Sequence, residues 1–418
     1  MPALLNDLRA REYLKQGQLE AIVATSAANI RYFSGYVCWM ETLFREFMLE
    51  PGASTEFSIP CFALFSAEGG LGLIVKSAMS LNAASLGIED IRVYGNSGFD
   101  NSLPARPRDE IEARFHSLIA GNLDSTSAVD TLVAALRDRG LSHARIGLEM
   151  EGLSPTTKRA ILVALPKARI LDCSNLIRLI RAVKTPAEII LLAQAAEIAE
   201  KAARESLAKV KVGSRTRDLV RRYREGVGRR GADYDHFSLS LAGMGISSEP
   251  DREFRGDDVM FIDYGCILSG YFSDTGTTLA FSALPPELER RREALLLSVH
   301  RGAARMRPGV PASAIQLEMA STLREMGITN CFPHGHGMGL EIRDYPILVP
   351  ANGLKIKDES IAIESDMLLE AGMVINLEAP LFMPAVGALQ VEMSFVVTSD
   401  GNRRLADQDR SHPWIVTH

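Results

Sequence analysis

Two apolar stretches near the C-terminus each hold an acidic residue in their interior. GMVINLEAP (372–380) contains Glu378, and GALQVEMSFVVT (387–398) contains Glu392. Both stretches read as strands rich in Val, Ile, Leu and Phe. A carboxylate inside such a strand needs a partner, because an unpaired buried charge is costly. That partner is either a nearby arginine or a bound cation, so the fold must deliver a countercharge to both strands.

A second pair of carboxylates lies upstream. In VMFIDYGCILSGYFSDTGTTLAF (259–281) the turn signals Gly265 and Gly270 predict a hairpin with Asp263 on one arm and Asp274 on the other. Both carboxylates can then face the same side, although either aspartate alone also suits a turn cap or a surface pair. In CFPHGHGMGLEIRDYP (331–346), His336 is set among Gly335, Gly337 and Gly339. Glycines let a backbone approach a site closely; a lone histidine there also suits a structural role. Taken together, four carboxylates and one imidazole suit two divalent cations, and such a donor set fits Mn, Fe, Co or Zn. Two cations that share a water can make a nucleophile at neutral pH.

The chain has 418 residues, about right for two domains. Its hydrophobic share of 46% and charged share of 23% are those of a globular protein. A formal net charge of -6 gives no electrostatic case for binding nucleic acid or an anionic membrane. Cysteines 38, 61, 173, 266 and 331 form no C-x-x-C pair, which predicts reduced thiols in a cytoplasmic protein. No secretory signal and no membrane span are expected, since MPALLNDLRAREYLKQGQ lacks an apolar core and no long apolar run follows.

Strand-like segments (20–25, 60–66, 71–77, 91–95, 144–150, 168–173) alternate with helical ones (1–18, 107–121, 126–139, 154–164) up to about residue 175. That alternation predicts a small α/β domain. At VKTPAEI the character changes. Thr185 caps, Pro186 suits a first helical turn, and Glu188 completes a capping box, so a long Ala-rich helix runs to about 210. The expected domains are therefore 1–180 and 181–418. The second holds further helices at 215–229, 285–306 and 311–326. Its strands are predicted near 236–242, 258–265, 270–280, 372–379 and 388–398, an α+β pattern.

In their order, these motifs resemble the M24 metallopeptidases, the pita-bread group of methionine aminopeptidases, prolidases, Xaa-Pro aminopeptidases and creatinases. FIDYG and SDTGTT are spaced as the family's D-x10-D, followed by GHGMGLEI, GMVINLEAP and VEMSFVVT. VKTPAEI resembles the helix that opens the family's catalytic domain, and the N-terminal half resembles a creatinase or prolidase N-domain. The resemblance implies an α+β, pita-bread C-terminal domain behind a smaller α/β N-terminal one. It implies that Asp263 chelates one metal, Asp274 bridges both, His336 and Glu378 bind the other, and Glu392 bridges again. It also implies a homodimer, in which the region around Trp39 and Arg45 reaches the partner's site and caps a small substrate.

The chain departs from the peptidase pattern at three histidines. Ser247 or Ser248 stands at the first, Phe332 at the second and Arg343 at the third. Neither Ser nor Phe relays protons as His does, whereas Arg is a fixed cation suited to a carboxylate. The expectation is a two-metal hydrolase acting on an amide or peptide-like C–N bond in a small carboxylate-bearing or dipeptide-like substrate. Glu378 would act as base and His334 would supply further acid–base chemistry, with Tyr345 and Tyr271 weaker candidates. Arg343, Asp344 and Tyr345 would meet the substrate, although Arg343 also suits an ion pair with Asp344 or Glu341. The rival readings are an Xaa-Pro dipeptidase or aminopeptidase, a lyase of the dimethylsulfoniopropionate type, and a non-catalytic binding module.

Overall fold

The structure is a computed structural model that describes residues 4–39, 59–95, 98–100, 106–120, 127–151, 153–243 and 251–416. The chain divides into two compact units, Met1–Ile180 with Ile356–Ile363, and Arg181–Lys355 with Glu364–His418.

The first unit is built on a six-stranded mixed sheet. Its strands are β1 (Ala21–Ala24), β2 (Phe62–Ser66), β3 (Gly70–Lys76), β4 (Asp90–Tyr94), β5 (Arg145–Leu148) and β6 (Arg169–Asp172), in the order β4-β3-β2-β1-β5-β6. The hairpin β2–β3 forms where the Gly-containing turn predicts it, and β4, β5 and β6 add in parallel, as strands joined through helices do. Helix Ala128–Asp138 starts on a Ser127–Asp130 capping box and buries Leu132, Ala135 and Leu136 against the sheet.

The second unit opens on helix Pro186–Leu207, whose Thr185–Glu188 capping box forms as the sequence predicts. Its sheet contains β7 (Asp233–Ser240), β8 (Val259–Leu268), β9 (Tyr271–Phe272), β10 (Thr275–Ala280), β11 (His334–Gly337) and β12 (Asp344–Leu348). A hairpin of β13 (Lys355–Lys357) and β14 (Ala362–Glu364) follows, and its central residues belong to the first unit. There the Asp358 carboxylate accepts from Leu176 N and that of Glu359 from Asp172 N, so two acidic side chains tie this late segment to early backbone. The remaining strands are β15 (Val374–Met383), β16 (Gly387–Val397), β17 (Asn402–Arg404) and β18 (Trp414–Ile415). The main path runs β12-β11-β15-β16-β10-β8-β7, with antiparallel neighbours throughout. The α+β class and the pita-bread arrangement implied by the resemblance are what the chain adopts.

Alternation along β8 decides what the sheet presents. Met260, Ile262, Tyr264 and Cys266 pack into a core with Ala195, Ala199 and Ala202 of the long helix, where small side chains let helix and sheet approach closely. By the two-residue period of a strand, Asp263 and Gly265 face the other way. Behind this surface sits a buried ion pair. Arg410 bonds Glu200, the Gly276 carbonyl (2.9 Å) and Thr275 Oγ1 (2.8 Å), and Glu200 also accepts from Tyr264 Oη (3.1 Å). One cation thus ties the helix, β8, β10 and the C-terminal segment together. Removing one member of such a pair strands a buried charge. Arg410→Met is therefore expected to lower unfolding stability by about 3–5 kcal/mol in denaturant titration. A Glu200→Leu, Arg410→Met double variant should recover part of that loss.

Candidate metal centre

Strand pairing brings the five sequence-predicted metal ligands to one patch of the second sheet. Glu378 on β15 lies directly opposite Glu392 on β16, and His334 on β11 lies opposite Glu378 on its other side. Asp263 on β8 is paired with Gly276 on β10, two residues beyond Asp274. Gly276 is needed there, since a Cβ at this position would stand 2.4 Å from Glu392 Oε2 and 2.9 Å from the Ile262 carbonyl. His336 Nε2 is 3.3 Å from Asp274 Oδ2 and 3.9 Å from Glu378 Oε1.

The electrostatics of the patch call for protons or cations. Like charges directly opposite each other on neighbouring strands repel, and Glu378 and Glu392 are both buried. Glu392 accepts from Gln390 Nε2 at 3.0 Å and from the Asn376 side chain, both neutral donors. Burial, together with the charges of Asp263, Asp274 and Glu378, pushes Glu392 well above the usual carboxylate range. Burial and the neighbouring Asp274 likewise push Asp263 up to about 7. Asp274 shifts the other way: burial opposes its charge, but His236 and His336 hold it below its ordinary value. The decisive atom is His336 Nε2. The ring is 1% exposed and Nδ1 is 3.1 Å from the Gly337 carbonyl, which assigns the ring hydrogen to Nδ1. Nε2 then carries a lone pair, and it has no hydrogen-bond partner among the described residues; its 3.3 Å approach to Asp274 lacks hydrogen-bond alignment. A buried, unpaired imidazole nitrogen among four carboxylates fits a divalent cation.

The remaining sequence candidates separate. His334 reaches the site, with Nε2 2.8 Å from Glu378 Oε1. Burial disfavours its charged form, but the Glu378 carboxylate outweighs that and raises its pKa. Arg343 stands at the rim, 62% exposed, with Nη2 3.8 Å from Glu378 Oε1. Asp344, expected to meet substrate, is instead fully buried, its carboxylate taken by Arg181 (3.2 Å) and Lys184 (3.4 Å). With two cations already on it, its role is to hold β12 in place. Arg343 is not its ion-pair partner, and Arg181 also takes Glu341, at 2.9 Å. Tyr345 is half-buried and donates its backbone N–H to Asp344 Oδ1. Tyr271, the other weaker candidate, is committed elsewhere, since its hydroxyl donates to Glu188 in the helix capping box. Phe332 is exposed, its ring 5.7 Å from that of His334. Trp39 is half-buried in the first unit, while Arg45, Ser247 and Ser248 lie outside the described residues.

The sequence reading missed His236 on β7. Its Nε2 is 2.9 Å from Asp263 Oδ1 and 3.4 Å from Asp274 Oδ1, and its Nδ1 is 2.7 Å from Asp235 Oδ2. These three residues form the metal-compatible group found among the described residues, with donor atoms within 4.8 Å of one another. DYDHFSLS shows no motif at this position; the available signal was an Asp-His pair ahead of a strand bound for the FIDYG segment.

A sheet patch of buried carboxylates and an unpaired imidazole on a pita-bread fold fits a metal-dependent hydrolase. The chain belongs to metallopeptidase family M24, whose model matches residues 191–399, and residues 8–183 match the creatinase/prolidase N-terminal domain. It is 24% identical over 408 residues to an uncharacterized peptidase of Staphylococcus saprophyticus, covering 96% of this chain and 98% of that one. It is 27% identical over 244 residues to an Xaa-Pro dipeptidase of Pyrococcus furiosus, covering 56% of this chain and 66% of that one. In fold it is similar to an Xaa-Pro dipeptidase from Bacillus anthracis, with a TM-score of 0.73 at 20% identity over 98% of each chain. All three are peptidases, and the lyase expectation finds no support among them.

Cation uptake should displace the protons that burial holds on Asp263 and Glu392. Because Asp263 keeps its proton below about 7, cation affinity should fall as pH drops through that value. Titrating Mn(II) calorimetrically in two buffers of different ionisation heat reads the protons released. Equal heats in both buffers would contradict the expectation.

Proposed function

We propose that the enzyme hydrolyses an amide or peptide-like C–N bond in a small carboxylate-bearing substrate, at a centre of two divalent cations of the Mn, Fe, Co or Zn type. The observation that carries this reading is the buried, unpaired Nε2 of His336, 3.3 Å from Asp274 and 3.9 Å from Glu378 in the patch that also holds Asp263 and Glu392. Asp263, Asp274, His336, Glu378 and Glu392 would hold the cations. When bound, these supply Lewis acidity and a water acidic enough to attack near neutral pH.

The chain's own groups supply the rest. Glu378 Oε1 accepts the proton released as water adds to the carbonyl carbon. His334 Nε2, 2.8 Å from that oxygen, passes it to the departing nitrogen as the C–N bond breaks. Arg343, fixed in charge and exposed at the rim, pairs with the substrate carboxylate. A second reading, Xaa-Pro dipeptidase, is favoured by the names of the Pyrococcus relative and the Bacillus anthracis structure. Trp39, with Arg45, would cap the substrate across a homodimer, as the resemblance implies.

Chelator treatment is expected to abolish hydrolysis, and Mn, Co, Zn or Fe to restore it; full activity without metal would refute the proposal. A panel of X-Pro dipeptides, X-Ala dipeptides and N-acyl amino acids separates the two readings, since the second requires a strong X-Pro preference. Arg343→Met should raise KM roughly ten-fold or more with little change in kcat, the mark of a lost binding contact. For Trp39→Ala, unchanged KM and kcat would remove it from the site.

A further inference from the structure

The strand that carries His236 is shaped around it. Pairing of β7 with β8 shifts register between Tyr234 and His236, so that Tyr234 lies opposite Cys266 and His236 opposite Gly265. Asp235 is the extra residue of this bulge, a device that re-aims side chains near functional sites. Its carboxylate lies 2.7 Å from His236 Nδ1. The imidazole then lies over Gly265: a Cβ there would stand 2.6 Å from the ring Cε1 and 2.2 Å from the Ser273 carbonyl. Bulge, carboxylate and glycine act together to point Nε2 between Asp263 and Asp274.

The donor separations match those of atoms sharing one ion. Ligands bonded at about 2.1 Å lie about 3.0 Å apart in octahedral and about 3.4 Å apart in tetrahedral arrangements. His236 Nε2 stands 2.9 Å from Asp263 Oδ1 and 3.4 Å from Asp274 Oδ1. Histidine ligands of metals also give their other ring nitrogen to a carboxylate or carbonyl, which sets tautomer and orientation. His336 does so with the Gly337 carbonyl, and His236 with Asp235. The two imidazoles thus meet Asp274 at different oxygens, one at Oδ1 and one at Oδ2.

We propose that His236 is a metal ligand, completing the Asp263–Asp274 position, with Asp235 as its positioning residue. The centre then offers one imidazole to each cation, which favours Fe, Co or Zn over Mg or Ca. This inference rests on the two-cation reading above.

Co(II) alone, added to the metal-free full chain, tests it. A Co-bound imidazole gives a far-shifted proton resonance from its ring N–H that disappears in D2O. His236→Gln is expected to lose one such resonance relative to the unaltered protein, and to weaken one of two Co(II) equivalents ten-fold or more by calorimetry. Asp235→Asn keeps the ring, so it should shift one resonance without deleting it, and it serves if His236→Gln folds poorly. The same resonances in all three proteins, with unchanged Co(II) affinities, would overturn the assignment while leaving the two-cation centre standing. Failure of the unaltered protein to take up Co(II) is a different result, and would overturn the centre itself.

Discussion

Glu378 and Glu392 face each other across β15 and β16, both buried, in a register set by ten consecutive residue pairs. Two carboxylates so placed repel, and the amides of Asn376 and Gln390 that touch Glu392 bring no charge to offset it. The rest of the second unit is arranged around this repulsion. β8 and β10 add Asp263 and Asp274, which deepens the negative potential, while β11 and β7 bring His336 and His236 to the same patch. A surface of this kind is stable with cations or protons on it, and the raised pKa values of Asp263 and Glu392 are the protonated alternative.

The scaffold behind the patch separates support from chemistry. The Glu200–Arg410 pair, with Tyr264 and Thr275, fixes β8 and β10 from the helix side of the sheet. Asp344, held by Arg181 and Lys184, secures β12 beside β11. Both are buried charge pairs made of the residue types found in active sites. Their role follows from their satisfaction: every charge has an opposite within the fold. His336 Nε2 has no such partner, and that difference distinguishes a site from a brace.

Much of the fold was legible because its signals are local. The Thr185–Glu188 capping box, the β2–β3 turn and the Ala-rich helix each depend on residues a few positions apart. Glu378 and Glu392 were legible for a different reason: charge inside an apolar strand conflicts with its surroundings, and the conflict is visible without coordinates, whereas Asp263, Asp274 and His336 stood out through the order of motifs that resembles the M24 family. His236 produced no such conflict. Its neighbours DYDHFSLS are polar enough for a histidine to pass as ordinary, and its meaning comes from Gly265 across the sheet and from a bulge that no linear pattern announces.

The sequence by itself determined the long helix and the main strand segments, the α+β class and, in Glu378 and Glu392, carboxylates that need a countercharge, but not the short strands such as β11 and β12. These follow from periodicity, capping and the cost of burying charge, all properties of neighbouring residues. Only the tertiary structure decided which of the flanking polar residues serve the site. Asp344 and Tyr271 went to the scaffold, His236 came to the centre, and 356–363 joined the first unit. Those outcomes depend on register between strands distant in sequence, and a shift of one residue would turn each side chain to the other face.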